Sequence, residues 1–404
     1  MTQSETPIPP EPKEPGELSP HDPQGELRVK LFARTDVGQV REHNEDNFLV
    51  ADITRRARGL LEANRATVLG GQGALFAVCD GMGGAAAGEI ASQLAVDIIF
   101  EQVVDGIGER KLGRDELARK LVRAVEVAGY RIFQEAKADR TRRGMGTTVT
   151  AAALVDDHLF LAQVGDSRGY ILRAGNLVQV TRDQSLVNQL IEAGQLTEEE
   201  AETFEHNNII LQALGTSDTV QVDLTYAELR RGDTLLLCSD GLSGMVRFDE
   251  IREILRSSPE PLDVCKALTE RANAAGGHDN ITVIVVQFEG EALKPGAAET
   301  EPLRYRKYPL PDESAEVTAP HQVVDTPAAT HSGHTLPLGH ATPAPAAVAA
   351  GGWQERPHDR AGHGHEGDER IDIPGTHIPW WIVLALVLGV VGLLVVTAFI
   401  LLRG

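Results

Sequence analysis

Apolar residues along this chain fall into two kinds of run. Leu75-Phe76-Ala77-Val78-Cys79, Leu235-Leu236-Leu237-Cys238 and Ile281-Thr282-Val283-Ile284-Val285-Val286 are short, continuous and β-prone. Acidic or glycine-containing clusters adjoin them, so they predict buried strands. Thr147 to Val155 and Leu159 to Val164 predict a hairpin around Asp156-Asp157. Tyr170 to Leu172 and Leu177 to Val180 predict another around Ala174-Gly175-Asn176. Longer segments repeat apolar residues at helical spacing: Gly88 to Val104 predicts one helix, and Glu116 to Ala138 a second with Gly129 inside it. Hairpins with helices set apart from them imply an α+β layered fold rather than a parallel sheet.

The flanks read differently. Residues 1–26 are rich in Pro, Glu and Ser without an apolar run, which predicts a disordered acidic tail and not a signal peptide. Residues 27–290 form the expected folded domain. Residues 291–377 turn to Pro, Ala, Gly and His and hold eight of the 13 histidines, including His363 and His365. Such a segment is expected to be a disordered hydrophilic linker. Residues 378–402 are 25 residues without a charge, opened by Trp380 and Trp381 where an interfacial aromatic belt would stand. They predict one transmembrane helix. With only Arg403 and Gly404 beyond it and no export signal, the expected topology is single-pass and tail-anchored, with the folded domain in the cytoplasm.

Composition narrows the class. A chain of 404 residues with 42% hydrophobic content can build one large core. Its net charge of −21, with no sustained basic stripe, argues against a nucleic-acid partner. Three cysteines, an odd number, suggest a reducing compartment; Cys79 and Cys238 read as small core hydrophobes.

The candidate chemistry lies where the strand-like runs meet acidic clusters: Asn44-Glu45-Asp46, Asp80-Gly81-Met82-Gly83-Gly84, Ser239-Asp240-Gly241 and His278-Asp279-Asn280. Asp80 and Asp240 end strands and Asp279 begins one, so in an antiparallel arrangement the three are expected to meet at one edge of a sheet. Converging carboxylates repel each other unless a hard cation sits among them, and Mg2+ or Mn2+ accepts all-oxygen shells. Slow phosphomonoester hydrolysis is a reaction that two such metals can clamp.

From about Val29 to Phe288 the chain resembles the PPM (type 2C) metal-dependent serine/threonine protein phosphatases of bacterial type. The resemblance is carried, in order, by Arg41-Glu42-His43-Asn44-Glu45-Asp46, Asp80 to Gly84, Gly144-Met145-Gly146-Thr147-Thr148, Val164-Gly165-Asp166-Ser167-Arg168, Ser239-Asp240-Gly241-Leu242 and Asp279-Asn280-Ile281-Thr282. It implies two stacked antiparallel β-sheets flanked by α-helices, and attack on phosphoserine or phosphothreonine by a water bridging two metals. On this resemblance Asp80 bridges both Mg2+ or Mn2+ ions, the Gly81 carbonyl completes one shell, and Asp240 and Asp279 hold the second ion. Glu45 and Asp46 act through metal-bound waters, and Asp166 binds a third, weaker ion shared with the Asp240 side. Arg41 binds phosphate through its guanidinium fork, so Arg41, Asp46 and Asp80 form the implied catalytic set.

Met82 departs from relatives that carry histidine there as a general acid, because methionine has no proton to donate. His43 and His278 flank the acidic motifs and are left out of the catalytic set. The arginines at 55, 56, 58 and 65 lie in a stretch longer than in compact relatives and read first as a solvated insert. Ser185 to Ser217 resembles the family's flap beside the metal site. The implied partners are phosphorylated proteins, a serine/threonine protein kinase as natural counterpart, and the bacterial inner membrane. The competing reading is a catalytically dead domain of the same family acting as a tethered phosphoprotein-binding module, and the complete set of ligand aspartates argues against it.

Overall fold

The computed structural model describes residues 25–59, 66–83, 87–201, 204, 208–296 and 302–310. The N-terminal tail up to residue 24, Gly84, Arg65 and the whole of 378–402 lie outside the described residues. Among those described, no helix is long and apolar enough to cross a membrane.

In chain order the strands of the first half are β1 (Leu27–Asp36), β2 (Asn47–Asp52), β3 (Ala57–Arg58), β4 (Thr67–Val68), β5 (Ala74–Cys79), β6 (Gly81–Met82) and β7 (Gly146–Thr147). Those of the second half are β8 (Val149–Val155), β9 (His158–Val164), β10 (Arg168–Arg173), β11 (Asn176–Gln179), β12 (Asp223–Glu228), β13 (Thr234–Cys238), β14 (Ile281–Gly290) and β15 (Tyr305–Lys307). They form a six-stranded sheet in the order β11-β10-β13-β14-β1-β4, a seven-stranded sheet in the order β15-β12-β9-β8-β5-β2-β3, and the small β6-β7 pair. Every ladder is antiparallel.

The two main sheets stack. Phe76, Val78, Leu159 and Leu161 of one and Val286, Phe288, Leu235 and Leu237 of the other share one buried cluster. Helices α1 (Ala87–Val104) and α2 (Arg114–Ala138) cover the seven-stranded sheet. On the six-stranded sheet lie α5 (Asp240–Ser243), α6 (Phe248–Ser257) and α7 (Pro261–Ala274); the short α3 (Leu186–Glu192) and α4 (Glu198–Ala201) sit in the flap segment. Apolar faces on both sides explain why β5, β8 and β13 are buried along their whole length and carry no polar alternation.

The helices follow their patterns. In α2, Leu117, Leu121, Ala124, Val125, Ala128 and Ile132 recur at helical spacing and are buried, while Asp115 and Glu116 in its first turn complement the helix dipole. Gly129 lets the flap approach closely: a Cβ there would stand 3.2 Å from the Leu214 side chain. The β10–β11 turn is two residues, Ala174 and Gly175, both at positive φ (48° and 82°), as the twist of a tight hairpin demands.

Two expectations change. The domain does not end at residue 290, because β15 adds to the free edge of β12 and Tyr308 is buried. The Tyr308 ring packs edge-on against Phe160 and Tyr226, with centroids 5.0 and 5.3 Å away, and its hydroxyl donates to Asp115. The buried Tyr308 ring, with Leu310 packed on the same cluster and Leu303 on the inter-sheet one, supplies the apolar area that pins this polar stretch, which the composition of the linker concealed. The second is a refinement: the arginines of the insert at 55, 56 and 58 are exposed, as expected, but two of them make contacts outside it. Arg56 bonds the Ile107 carbonyl, while Arg58 pairs with Asp97 and lies 4.5 Å over the Phe100 ring. These two tie the insert to α1 and the loop after it.

Candidate active site

The acidic clusters meet, but not at one sheet edge. Asp46 precedes β2 and Asp80 follows β5, and these strands are antiparallel neighbours in the seven-stranded sheet, with Asn47 opposite Cys79. Asp240 follows β13 and Asp279 lies two residues before β14, neighbours in the six-stranded sheet, with Cys238 opposite Val283. Two pairs of carboxylates therefore face each other across the sandwich at one end. Asp166 joins them from the turn in which β9 of one sheet passes to β10 of the other.

Hydroxyl groups aim Asp46. Its Oδ2 accepts from Ser239 Oγ at 2.8 Å and from Thr282 Oγ1 at 2.7 Å, while the buried Oδ1 has no partner. Thr147 Oγ1 donates to the Asp80 carbonyl at 2.8 Å and the Asp80 N–H donates to Thr148 Oγ1 at 3.1 Å, so the backbone at Asp80 is fixed. Buried oxygens of Asp166 and Asp240 also lack partners.

The electrostatics agree with crowding. Burial pushes Asp46 up to about 7, the Asp240 and Asp279 charges add to it, and the two hydroxyls pull it back. Burial likewise raises Asp166 to about 7, with the Asp240 and Asp183 charges adding to it. Asp80 stands well above the usual carboxylate range, first through burial and then through Asp46 and Asp240. Asp240 is raised by burial and by the Asp279 charge. Burial also raises Glu45, against the pull of Arg41. A cluster like this cannot ionise fully without a cation.

Arg41 Nη2 lies 2.6 Å from Asp279 Oδ2, and its side chain is 51% exposed. Among the described residues, no three His, Cys, Asp or Glu side chains stand close enough to hold an ion as placed. Asp279 accepts a hydrogen bond from Arg41 instead.

Several positioning groups escaped the reading of the sequence. Gly81, named from the sequence only for its carbonyl, fits because it lacks a Cβ, which would collide with the backbone of Gly88 and Glu45; Gly88, in the first turn of α1, was not foreseen, and a Cβ there would stand 2.7 Å from the Glu45 carboxyl. Ser92 Oγ donates to the Glu45 carbonyl at 2.5 Å and accepts from Asn47 Nδ2 at 2.9 Å. Thr282 interrupts the apolar run of β14 and is fully buried, the one signal that was available. Met82 lies against Gly146, in line with β6–β7 pairing. His43 and His278 are exposed. The flap is pinned at both ends beside the cluster: Leu214 bridges Thr147, and Gln184, just before the segment, bonds Gly165 through its main chain and side chain.

The comparisons agree with this architecture. Residues 62–280, more than half of the chain, match the family model described as Protein phosphatase 2C. Protein phosphatase PhpP of Streptococcus pneumoniae is 38% identical over 263 residues, 65% of this chain and 99% of the relative. Serine/threonine protein phosphatase PstP of Mycobacterium tuberculosis is 41% identical over 259 residues, 64% of this chain and 45% of the relative. Among solved structures, the catalytic domain of serine threonine protein phosphatase PstP in complex with two manganese ions aligns with TM-score 0.53 and 37% identity, over 65% of this chain and 99% of that one. The chain therefore belongs to the protein phosphatase 2C family and is a metal-dependent protein serine/threonine phosphatase.

Proposed function

We propose that this protein removes phosphate from phosphoserine and phosphothreonine on proteins at the carboxylate cluster, using Mg2+ or Mn2+, while tethered to a membrane and opposing a serine/threonine protein kinase. The observation that carries the reading is the set of buried, unpartnered oxygens on Asp46, Asp166 and Asp240 among carboxyls held above their usual range. Native proteins rarely leave such atoms unsatisfied, and hard divalent cations take this donor set. Asp80, the Gly81 carbonyl, Asp240 and Asp279 would hold two ions. Glu45 and Asp46 would support them through water, and Asp166 would contribute to a third. When bound, the ions supply the positive charge that activates water and neutralises phosphate.

The chain's own groups do the rest. Arg41, half-exposed beside the cluster, offers the phosphate oxygens a guanidinium that now rests on Asp279. Ser239 and Thr282 keep Asp46 Oδ1 turned away from hydroxyl partners and free to accept. Met82 offers no proton, so the leaving oxygen takes one from water.

Hydrolysis of a phosphothreonine peptide by the full chain tests the chemistry: activity with Mn2+ that EDTA abolishes is expected, and activity indifferent to EDTA overturns it. The uncharged segment 378–402 supports the membrane attachment, with the phosphatase domain on the cytoplasmic side. Recovery of the full-length protein in the soluble fraction without detergent would count against the anchor. Digestion of the domain by protease added outside intact cells would count against the orientation.

A further inference from the structure

Asn280 is 4% exposed, and its side-chain amide is fully used. Nδ2 donates to the Val37 carbonyl at 3.0 Å and to the His43 carbonyl at 2.9 Å, while Oδ1 accepts from the Glu45 N–H at 2.7 Å. All three partners are backbone groups of fixed donor or acceptor character, so the surroundings dictate which way the amide points. The bonds grip both ends of the loop 37–45. The outer part of that loop carries Val40, 60% exposed, and Arg41.

Two more contacts lay the loop on the same turn. Gln39 N–H donates to the Gly277 carbonyl at 2.8 Å, and Gly38, at φ +81°, leaves no room for a Cβ against the Asp279 carbonyl. Asn280 N–H also donates to Asp279 Oδ1 at 2.8 Å, while Arg41 reaches Oδ2 of that carboxylate. One residue thus orients both members of the Arg41–Asp279 pair.

We infer that Asn280 is the positioning residue of this loop and sets where the Arg41 guanidinium stands relative to the carboxylate cluster. The inference rests on the reading of Arg41 as the phosphate ligand. A guanidinium at the end of a long side chain on an exposed loop is placed only as well as its backbone, and a misplacement of about 1 Å can cost on the order of a hundredfold in rate. Asn280→Asp keeps the shape but removes both donors and sets a carboxylate against two carbonyl oxygens. Asn280→Ala removes all three bonds and leaves room for water.

The test is a double-mutant cycle on the full chain in detergent, saturated with Mn2+, with a phosphothreonine peptide as substrate and thermal melting of each variant. Asn280→Ala and Asn280→Asp are expected to raise KM about tenfold with kcat within about threefold, and to add less than about twofold in the Arg41→Ala background. Equal losses in kcat and kcat/KM, or a full additional effect on top of Arg41→Ala, overturn the inference. If neither Asn280 variant folds, the residue serves stability and the inference falls. An unchanged KM in Arg41→Ala defeats the phosphate reading and this inference with it. A raised KM there with silent Asn280 variants defeats this inference alone.

Discussion

The two ends of the sandwich treat buried aspartates in opposite ways. At the end away from the site, Asp233 accepts Arg173 Nε at 2.9 Å and Nη2 at 2.6 Å, and the Arg230 N–H at 2.7 Å. Asp157, in the β8–β9 turn, is paired with Arg114 and bonded to His158 Nδ1 at 2.7 Å. Burial alone would raise Asp157, but His158, Arg114 and Lys294 outweigh it and hold the carboxyl below its usual range. At the site end, Asp46, Asp80, Asp166 and Asp240 form no ion pair among the described residues; Arg168 pulls on Asp166, and Arg168 and Arg41 on Asp240, but burial and the neighbouring carboxyls outweigh them and all four are raised. Asp233 and Asp157 are complete at one end and the four acids are incomplete at the other; Asp52, also at the far end, has a buried Oδ2 without a hydrogen bond, but Arg55 Nε stands 3.6 Å from it. An acid that the protein has already neutralised serves the fold; acids left in want of charge serve a ligand.

Removing acids from each end should separate the roles. Asp80→Ala or Asp240→Asn should lower turnover by at least ~10³-fold, about 4 kcal/mol, while the domain stays folded. Activity of both variants within about tenfold of wild type, measured on a phosphopeptide, would sink the two-metal reading. Asp233→Asn should do the reverse, costing about 3 kcal/mol of stability by leaving Arg173 buried without its counter-charge, with kcat almost unchanged. Denaturant unfolding beside steady-state kinetics decides it; a loss of activity without a loss of stability would erase the distinction between the ends.

Arg41→Ala should cost about 2 kcal/mol in kcat/KM, the range for hydrogen bonds to charged groups. Mn2+ binding, followed by calorimetry, should survive the change. Unchanged kcat/KM would return Arg41 to the status of a solvated surface residue.

The smallest effect is a dependence on pH. Asp46 and Asp166 sit near 7 in the metal-free fold, above the roughly 4 of an unfolded aspartate. Proton binding therefore stabilises that fold fully below about pH 4, and the contribution is lost as pH rises through about 7. A cation competes for the same oxygens, so its affinity should rise with pH across this window, by up to about tenfold per pH unit for each proton displaced. The thermal shift produced by Mn2+ should be larger at about pH 8 than at about pH 5.5. A shift independent of pH would mean that these carboxyls are not linked to the ion, either directly or through water.

Much of the fold was legible because it is local. β5, β13 and β14 appear as apolar runs, and α1 and α2 appear as helical spacing, each near its observed bounds. The two hairpins formed where Asp156-Asp157 and Ala174-Gly175 placed them. Neither the sheet assignment of β5 nor the strand β15 was legible. A strand buried on both faces carries no alternation to say which layer it joins, and Tyr308 is one aromatic residue in a stretch that otherwise reads as linker.

By itself, the sequence determined which residues carry charge at the ends of which strands, since Asp80, Asp240 and Asp279 are fixed to their apolar runs by covalent neighbourhood. It also put a glycine after Asp80, though only the tertiary structure shows that a Cβ there would meet the backbones of Gly88 and Glu45. Tertiary structure alone decided that the carboxylates meet from two sheets rather than along one edge. It also decided that Ser239 and Thr282 aim Asp46 and that Asn280 holds the Arg41 loop. Those contacts join residues some 190 to 240 positions apart. A pattern read along the chain reports what a residue can bury or bond, and only packing chooses its partner.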